Sequence, residues 1–150
     1  MANQPISVNM FILMENDIAK AVAFYQDLGL KLNFHSTNRW AEFDIQGVKM
    51  GLAQTTQELP ERRTGIVLEV DDIQKFYEEH KDSGIDFLSE PVEAVHGLIL
   101  SFRDPGNNIL DLYQPTPEKL KEAVRKAAED AEQKGGCCRT EKEDDKGCCK

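Results

Sequence analysis

The feature of this 150-residue chain that most constrains its fold is an internal repeat. Residues 15–32, ENDIAKAVAFYQDLGLKL, superpose on residues 70–87, VDDIQKFYEEHKDSGIDF, at a constant offset of 55. Each copy begins near an aspartate that can accept hydrogen bonds from free backbone N–H groups, and apolar residues then recur at helical spacing. Gly29 and Gly84 follow where a helix end favours a left-handed residue. The repeat predicts two equivalent modules, each with one short helix.

Short apolar runs surround both predicted helices and are too short to be helices themselves. They precede them as SVNMFIL and GIVLEV, and follow them as LNFHS, WAEFDI and VKMGLAQ in one half and DFLS, LILSF and NILDLYQ in the other. Read as strands, they give the order βαβββ twice. We therefore expect an α+β domain over residues 1–114, with modules at 5–54 and 64–114 and a polar linker at 55–63.

The character of the chain changes at Pro115. Thr116 can cap a helix that starts at Pro117, and Glu/Lys pairs one turn apart support it. This predicts a C-terminal helix over residues 115–136. The remaining residues, 137–150, contain all four cysteines and lack apolar side chains. We expect this cysteine-rich tail to be disordered without a ligand.

The net charge of −9 excludes some partners. Residues 1–114 hold 9 basic and 18 acidic residues, whereas residues 115–150 hold 9 of each. An acidic domain repels phosphate backbones, so we expect no nucleic-acid partner. No apolar stretch approaches the length that spans a bilayer, and no targeting segment is recognisable. The expectation is a cytoplasmic protein without a membrane partner.

Three blocks of sequence carry a resemblance to a known family. They are D-I-x-x-A-x-x-F-Y-x-x-L-G-L at 17–30, E-V-D-D-I at 69–73 and D-P-G-N-N-I-L-D-L-Y at 104–113. Together with the paired βαβββ order, this pattern resembles the vicinal oxygen chelate (VOC) superfamily, also called the glyoxalase/bleomycin resistance/dioxygenase family. The resemblance implies a cup-like mixed eight-stranded sheet built from the two modules. It also implies a homodimer.

The resemblance further implies where a metal would bind. Enzymes of the family hold a divalent metal with one His, Gln or Glu from each of four strands. Carried over to this chain, those positions are Met10, Gly51, Gly65 and Asp111. A thioether is a poor ligand for a hard divalent ion and glycine has no side chain, so we expect no metal or other cofactor in the cup. Asp111, the only catalytic candidate, is interpreted as a remnant of the metal site.

The same alternation predicts a ligand pocket in the cup. Its functional interpretation is an apolar pocket with an acidic rim, suited to a small, flat or cationic organic molecule, as in family members that sequester cytotoxic compounds. The alternative is that the methionines simply fill the cup as core. The predicted pocket residues are Met10, Ile12, Met14, Trp40, Gly51, Gly65, Val67, Glu69, Asp111 and Tyr113. His35 and His96 either line the mouth or are surface polar groups.

Two functions of different class stay open. The first is a metal-independent binding protein that holds a small organic molecule. The second is a VOC-type lyase or dioxygenase with a shifted metal set around Asp111.

The paired cysteines Cys137, Cys138, Cys148 and Cys149 add a separate hypothesis, because four thiolates can bind zinc or another soft metal. Family members linked to arsenic and cadmium resistance also carry such tails. The alternative is a reduced tail without a dedicated role.

Overall fold

The computed structural model describes residues 4–135, so the predictions for the four cysteines and their tail lie outside the described residues. The elements in chain order are β1 (Met10–Glu15), α1 (Ile18–Asp27), β2 (Lys31–Ser36), β3 (Trp40–Ile45), β4 (Val48–Gln54), β5 (Arg62–Glu69), α2 (Ile73–His80), β6 (Asp86–Phe87), β7 (Val92–Ala94), β8 (Gly97–Arg103), β9 (Asn108–Pro115) and α3 (Pro117–Gly135).

Each module forms its own mixed sheet. The first sheet has the order β1-β4-β3-β2, and the second has the order β5-β9-β8-β6 with β7 also paired to β8. The pairs β1–β4 and β5–β9 are parallel, and the remaining pairs are antiparallel. The α+β class, the paired βαβββ order and the C-terminal helix are thus confirmed. Within the described residues the strands form two separate sheets of four and five strands rather than one continuous eight-stranded sheet.

The helices begin and end as the repeat predicts. Asp17 and Asp72 each accept a hydrogen bond of 3.0 Å from a backbone N–H in the first turn of their helix. Gly29 and Gly84 have φ values of +95° and +90°, the left-handed conformation that lets the chain leave the helix. The strand β7, by contrast, was not predicted, because three residues are too few to show a periodicity.

One hydrophobic core joins the two modules. The side chains of β1 alternate, so Leu13 is 4% exposed while its neighbour Ile12 is 53% exposed. Helix α1 lies between the two sheets: the ring of Tyr25 is 5.9 Å from that of Phe43 in β3, and the ring of Phe24 is 6.0 Å from that of Phe102 in β8. The covered faces of both sheets therefore face inward, and their uncovered faces point outward.

The turn between β8 and β9 is ordered by Asp104. Its Oδ1 accepts hydrogen bonds of 2.9 Å from the backbone N–H groups of both Gly106 and Asn108. Asn107 adopts a φ of +62°, which asparagine tolerates better than most residues. These contacts give the DPGNN segment the structural role in the turn that its residue types indicate.

A buried polar junction connects this turn to the first module. The Asn108 amide donates to the Met14 carbonyl at 3.1 Å, to Glu15 Oε1 at 3.1 Å and to Asp104 Oδ2 at 2.9 Å. The Tyr25 hydroxyl donates to the same Asp104 oxygen at 2.7 Å. Glu15, Asp104 and Asn108 are each at most 3% exposed. We call these four side chains (Glu15, Tyr25, Asp104 and Asn108) the inter-module junction.

The C-terminal helix α3 is mostly exposed, and Val124 on its apolar stripe is 61% exposed. Among the helices of residues 4–135, none combines the length and the apolar character needed to cross a membrane.

We predict that Asn108→Ala lowers the free energy of unfolding by roughly 2–3 kcal/mol, because two buried carboxyl groups lose a donor that no water can replace. Chemical denaturation monitored by circular dichroism measures the change. Asn33→Ala is the matched control: its amide also donates to a glutamate, Glu42, but at an exposed position, so its effect stays within about 0.5 kcal/mol. Equal effects of the two substitutions would contradict the assigned role of the junction.

Candidate functional site

The predicted pocket residues lie on the uncovered faces of the two sheets. In the first sheet Ile12 pairs with Gly51, Met14 with Ala53, and Trp40 also with Ala53. In the second sheet Val67 pairs with Asp111 and Glu69 with Tyr113. The register therefore brings the predicted residues together in two sets. We call them the first half cup (Met10, Ile12, Met14, Trp40 and Gly51) and the second half cup (Val67, Glu69, Asp111 and Tyr113).

The two half cups do not close on each other within one chain. Because the covered faces of both sheets share the core, the half cups lie on outward faces. Ile12 and Val67 are each 53% exposed and Met14 is 38% exposed. These exposures also count against the alternative that Met14 is core filling. The single cup of the sequence prediction becomes two open halves in this chain.

Gly51, predicted as a pocket residue, does not leave open space in the first half cup. A Cβ atom added there would lie 2.6 Å from Cζ2 of Trp40, and other atoms of the same ring would also be too close. The indole of Trp40 thus occupies the space above Gly51. A glycine is needed at this position because the ring lies against its backbone.

Gly65 likewise has a different role from the one predicted. It is exposed, with a φ of +73°, at the point where the register of β5 against β9 shifts between Arg63 and Val67. A Cβ atom added to Gly65 would meet nothing within 4 Å. Its missing side chain therefore serves a β-bulge rather than the volume of a pocket.

Asp111, the predicted remnant of the metal site, has two polar partners in the second sheet. The Ser101 hydroxyl donates to its Oδ1 at 2.5 Å, and Nη1 of Arg63 lies 3.7 Å from the same oxygen. The Asp111 side chain is 21% exposed. The hairpin register pairs Ser101 with Asp111, so this partner was predictable by counting back from the turn.

Sequence reasoning missed a second charged pair, which lies beside the first half cup. Glu42 pairs with Gly51 in the sheet, and its carboxylate lies 3.9 Å from Lys49 Nζ and accepts from the Asn33 amide at 3.1 Å. Phe34 pairs with Glu42 and is 51% exposed on the same face. A register shift between Leu32 and Phe34 hid Phe34 from the alternation pattern.

Tyr113 is held in place by His96. The two rings meet edge to face with centroids 5.5 Å apart, and His96 Nδ1 lies 2.5 Å from the Tyr113 hydroxyl. The hydroxyl also donates to the His96 carbonyl at 3.0 Å. Of the two histidines considered for the mouth of the cup, His96 is thus in contact with a half-cup residue.

A groove of about 370 Å³ runs between β1 and β5, where the two modules lie side by side. Its lining includes Ile12 and Met14 of the first half cup together with Arg63, the partner of Asp111.

The residues at the family's four metal positions do not fit a divalent metal. Met10 offers a thioether, Gly51 and Gly65 offer no side chain, and the single carboxylate of Asp111 already faces an arginine. Within residues 4–135, no three His, Cys, Asp or Glu side chains are grouped closely enough to hold a metal ion.

We predict that Gly51→Ala expels the indole of Trp40 from its position. The new methyl group overlaps the ring, so stability falls by roughly 1–3 kcal/mol and the emission of Trp40, the single tryptophan, moves to longer wavelength. In a Trp40→Leu background the same alanine should cost less, which a double-mutant cycle measures. An equal cost in both backgrounds would mean that the ring does not occupy this space.

Solved structures with the same fold include both binding proteins and enzymes. TnmS3 from Streptomyces sp. CB03234, an antibiotic binding protein, is 24% identical with a TM-score of 0.65, and the match covers 75% of this chain and 99% of that chain. FosX from Listeria monocytogenes, a fosfomycin resistance protein, is 19% identical with a TM-score of 0.64 over 81% and 99%. A lactoylglutathione lyase from Agrobacterium tumefaciens is 15% identical with a TM-score of 0.63 over 74% and 95%.

At these identities the similarity shows the fold alone. A comparison with curated protein sequences gives no significant match. The family assignment comes from the sequence model described as Glyoxalase/Bleomycin resistance protein/Dioxygenase superfamily, which matches residues 7–112. That range includes nearly all of both modules, and the chain therefore belongs to this superfamily.

Proposed function

We propose that this chain is a metal-independent binding protein that holds a small, flat, predominantly apolar organic molecule in cups formed by two copies of the chain. The observation that carries the proposal is the set of apolar side chains left open on the half cups. Ile12, Met14, Phe34 and Val67 are all large apolar side chains exposed on these faces.

Exposed apolar side chains gathered on one face indicate a contact surface rather than scattered surface residues. Each square ångström of apolar surface removed from water stabilises a complex by about 25 cal/mol, before the cost of ordering the partners. Trp40 adds a rigid aromatic ring to the floor of the first half cup. A flat organic molecule fits such a surface because it can contact the ring and the neighbouring aliphatic groups together.

The charges near the half cups favour a ligand with little net charge. The carboxylates of Asp111 and Glu42 each have a cation within 4 Å, namely Arg63 and Lys49. A ligand therefore meets two internally compensated pairs instead of the acidic rim that the sequence predicted. Glu69, exposed at the edge of the second half cup, is where a cationic substituent of the ligand would be attracted.

The alternative, a lyase or dioxygenase with a shifted metal set, needs Asp111 to bind a divalent cation. The positive charge of Arg63 at 3.7 Å opposes a cation at that position, and the other close partner of Asp111 is a serine hydroxyl. The antibiotic binding protein TnmS3 and the lyase share this fold, so the fold is compatible with either class. The donor set of this chain favours the binding protein.

We infer a homodimer from the outward direction of the half cups. A single chain presents two open surfaces, and a ligand bound to only one of them would stay largely in water. We infer that the first half cup of one copy faces the second half cup of the other. A twofold dimer then has two identical closed sites, as an isologous arrangement requires.

We predict that the neutral apolar dye Nile red binds the wild-type protein and quenches Trp40 fluorescence. Val67→Asp should weaken binding at least about tenfold, because a charge placed against an apolar ligand loses its hydration. Val124→Asp is the matched control, since it places the same charge at a valine on α3 that is also exposed. Dye binding that both substitutions weaken equally, or that neither weakens, would refute the location of the site.

Mixing Ile12→Asp protein with Val67→Asp protein extends this test to the dimer. If each cup combines half cups from two copies, a mixed dimer contains one cup with both defects and one without any. Mixing then restores dye binding that neither variant has alone. Failure to restore binding, with a mixed dimer demonstrated by mass spectrometry, would show that each site belongs to a single chain.

Metal analysis separates the binding protein from the enzyme. We predict that a variant with all four cysteines changed to serine, purified from cells, contains no stoichiometric Fe, Mn, Ni or Zn, and that Asp111→Asn changes its stability by no more than about 1 kcal/mol. A stoichiometric metal that Asp111→Asn removes would establish the enzyme instead.

We also propose that the wild-type cysteines bind Cd or Zn as thiolates. Charge-transfer absorbance should then develop when either ion is added to the wild type, and not when it is added to the serine variant.

A further inference from the structure

The inter-module junction brings two carboxyl groups together, and no cationic side chain of residues 4–135 lies between them. Glu15 at the end of β1 is 0% exposed, and Asp104 of the second module is 3% exposed. Glu15 Oε1 receives the Asn108 amide at 3.1 Å, whereas Oε2 is buried without a hydrogen-bond partner among the described residues. A buried carboxylate oxygen without a donor is costly, so this atom requires an explanation.

The two carboxyl groups differ in the donors that surround them. Asp104 accepts from two backbone N–H groups, from the Tyr25 hydroxyl and from the Asn108 amide. Glu15 accepts only from the Asn108 amide among the described residues. Hydrogen bonds to a carboxylate favour its charged form, so the negative charge of the pair belongs on Asp104. Two adjacent buried carboxylates cannot both carry a charge cheaply, which leaves Glu15 as the group that holds a proton.

We propose that Glu15 is a neutral carboxylic acid in the folded protein, and that its Oε2–H donates to the Asp104 carboxylate so that one proton joins the two modules. The proposal explains why Oε2 has no donor: it is itself the donor. It also explains why a glutamate is accommodated where both the strand and the turn are closed to water. At high pH, hydroxide removes this proton as water, and the hydrogen bond becomes a repulsion between two charges.

The charged and polar groups that face Glu15 each shift its pKa in an identifiable direction, and its neighbour Tyr25 keeps its own proton. Burial raises the pKa of Glu15 to about 10, with the hydrogen bond to Asp104 and its charge acting in the same direction. The Asn108 hydrogen bond and the positive charge of Arg62 on β5 lower the pKa, but less. Tyr25 of α1 stays protonated, because burial and the charge of Asp104 raise its own pKa well above the usual value.

A metal cation is a poorer explanation of the pair than a proton. A Cβ atom added to Gly106 would lie 2.7 Å from Cδ of Glu15 and 2.7 Å from the Met14 carbonyl oxygen, so the turn is packed directly against the carboxyl group. Arg62 on β5 donates instead to the carbonyl oxygens of Gly106 at 2.9 Å and Met14 at 3.1 Å. The tight packing of the junction therefore favours a hydrogen atom over a metal cation between the two carboxyl groups.

The raised pKa gives the junction a definite pH dependence. Glu15 binds its proton more tightly in the folded than in the unfolded chain, so its contribution to stability is full below the unfolded value of 4.5. That contribution decreases as the pH rises and is lost at about pH 10.

Thermal unfolding of the full chain between about pH 5 and about pH 10 tests the proposal. Glu15→Gln keeps the shape of the neutral acid and cannot ionise, so its melting temperature should exceed that of the wild type by an amount that grows with pH. Glu58→Gln, at an exposed position in the linker, is the control and should follow the wild-type profile. A difference between Glu15→Gln and the wild type that does not change with pH would overturn the proposal.

Carbon-13 NMR of the wild-type protein labelled at glutamate gives a second readout that does not depend on how the variant folds. The Glu15 carboxyl carbon should keep the shift of a protonated acid across neutral pH and change only in alkaline solution. A titration near 4.5, the ordinary value, would refute the proposal. So would a divalent cation that moves the same carbon signal at neutral pH, since it would place a metal where the proton is inferred.

Discussion

The hydrogen-bonded junction of Glu15, Tyr25, Asp104 and Asn108 is the interaction on which the arrangement of the two modules depends. Hydrophobic burial is non-directional and would hold the sheets together in many relative orientations. Buried polar groups with fixed partners select one orientation, because any displacement leaves a carboxyl or carbonyl group without its donor. The Asn108 amide reaches both Met14 and Asp104, so it fixes the end of β1 against the turn before β9.

The position of α1 has a direct consequence for function. Because its aromatic side chains pack on both sheets, each sheet buries one face in the shared core and presents the other to the outside. The half cups are on those outer faces, where apolar residues such as Ile12 and Val67 remain half exposed. In the proposed function a second copy of the chain completes this site, and the open apolar faces favour capture of an apolar molecule over chemistry that needs converging acid, base and metal ligands.

The strand faces of several candidate pocket residues were predictable from the period of the strands, and the errors of the sequence prediction have physical causes. Alternation placed Ile12, Met14 and Val67 on the faces where they are found. It could not show that the Trp40 ring covers Gly51, because that contact depends on a rotamer across two strands. Nor could it show the bulge at Gly65, since a register shift inverts the pattern only once the partner strand is known.

The sequence by itself determined the two modules, the capped helices and the absence of a suitable metal donor set at the family's four positions, because caps, periodicity and residue chemistry are local properties. Only the tertiary structure decided how the modules face each other and which polar groups meet. From the local sequence, Glu15 is only a polar residue that precedes a helix. The fold places it against Asp104, 89 positions away, in a junction buried from solvent. Proximity of that kind depends on the packing of α1 between two sheets, and no local pattern in the chain encodes it.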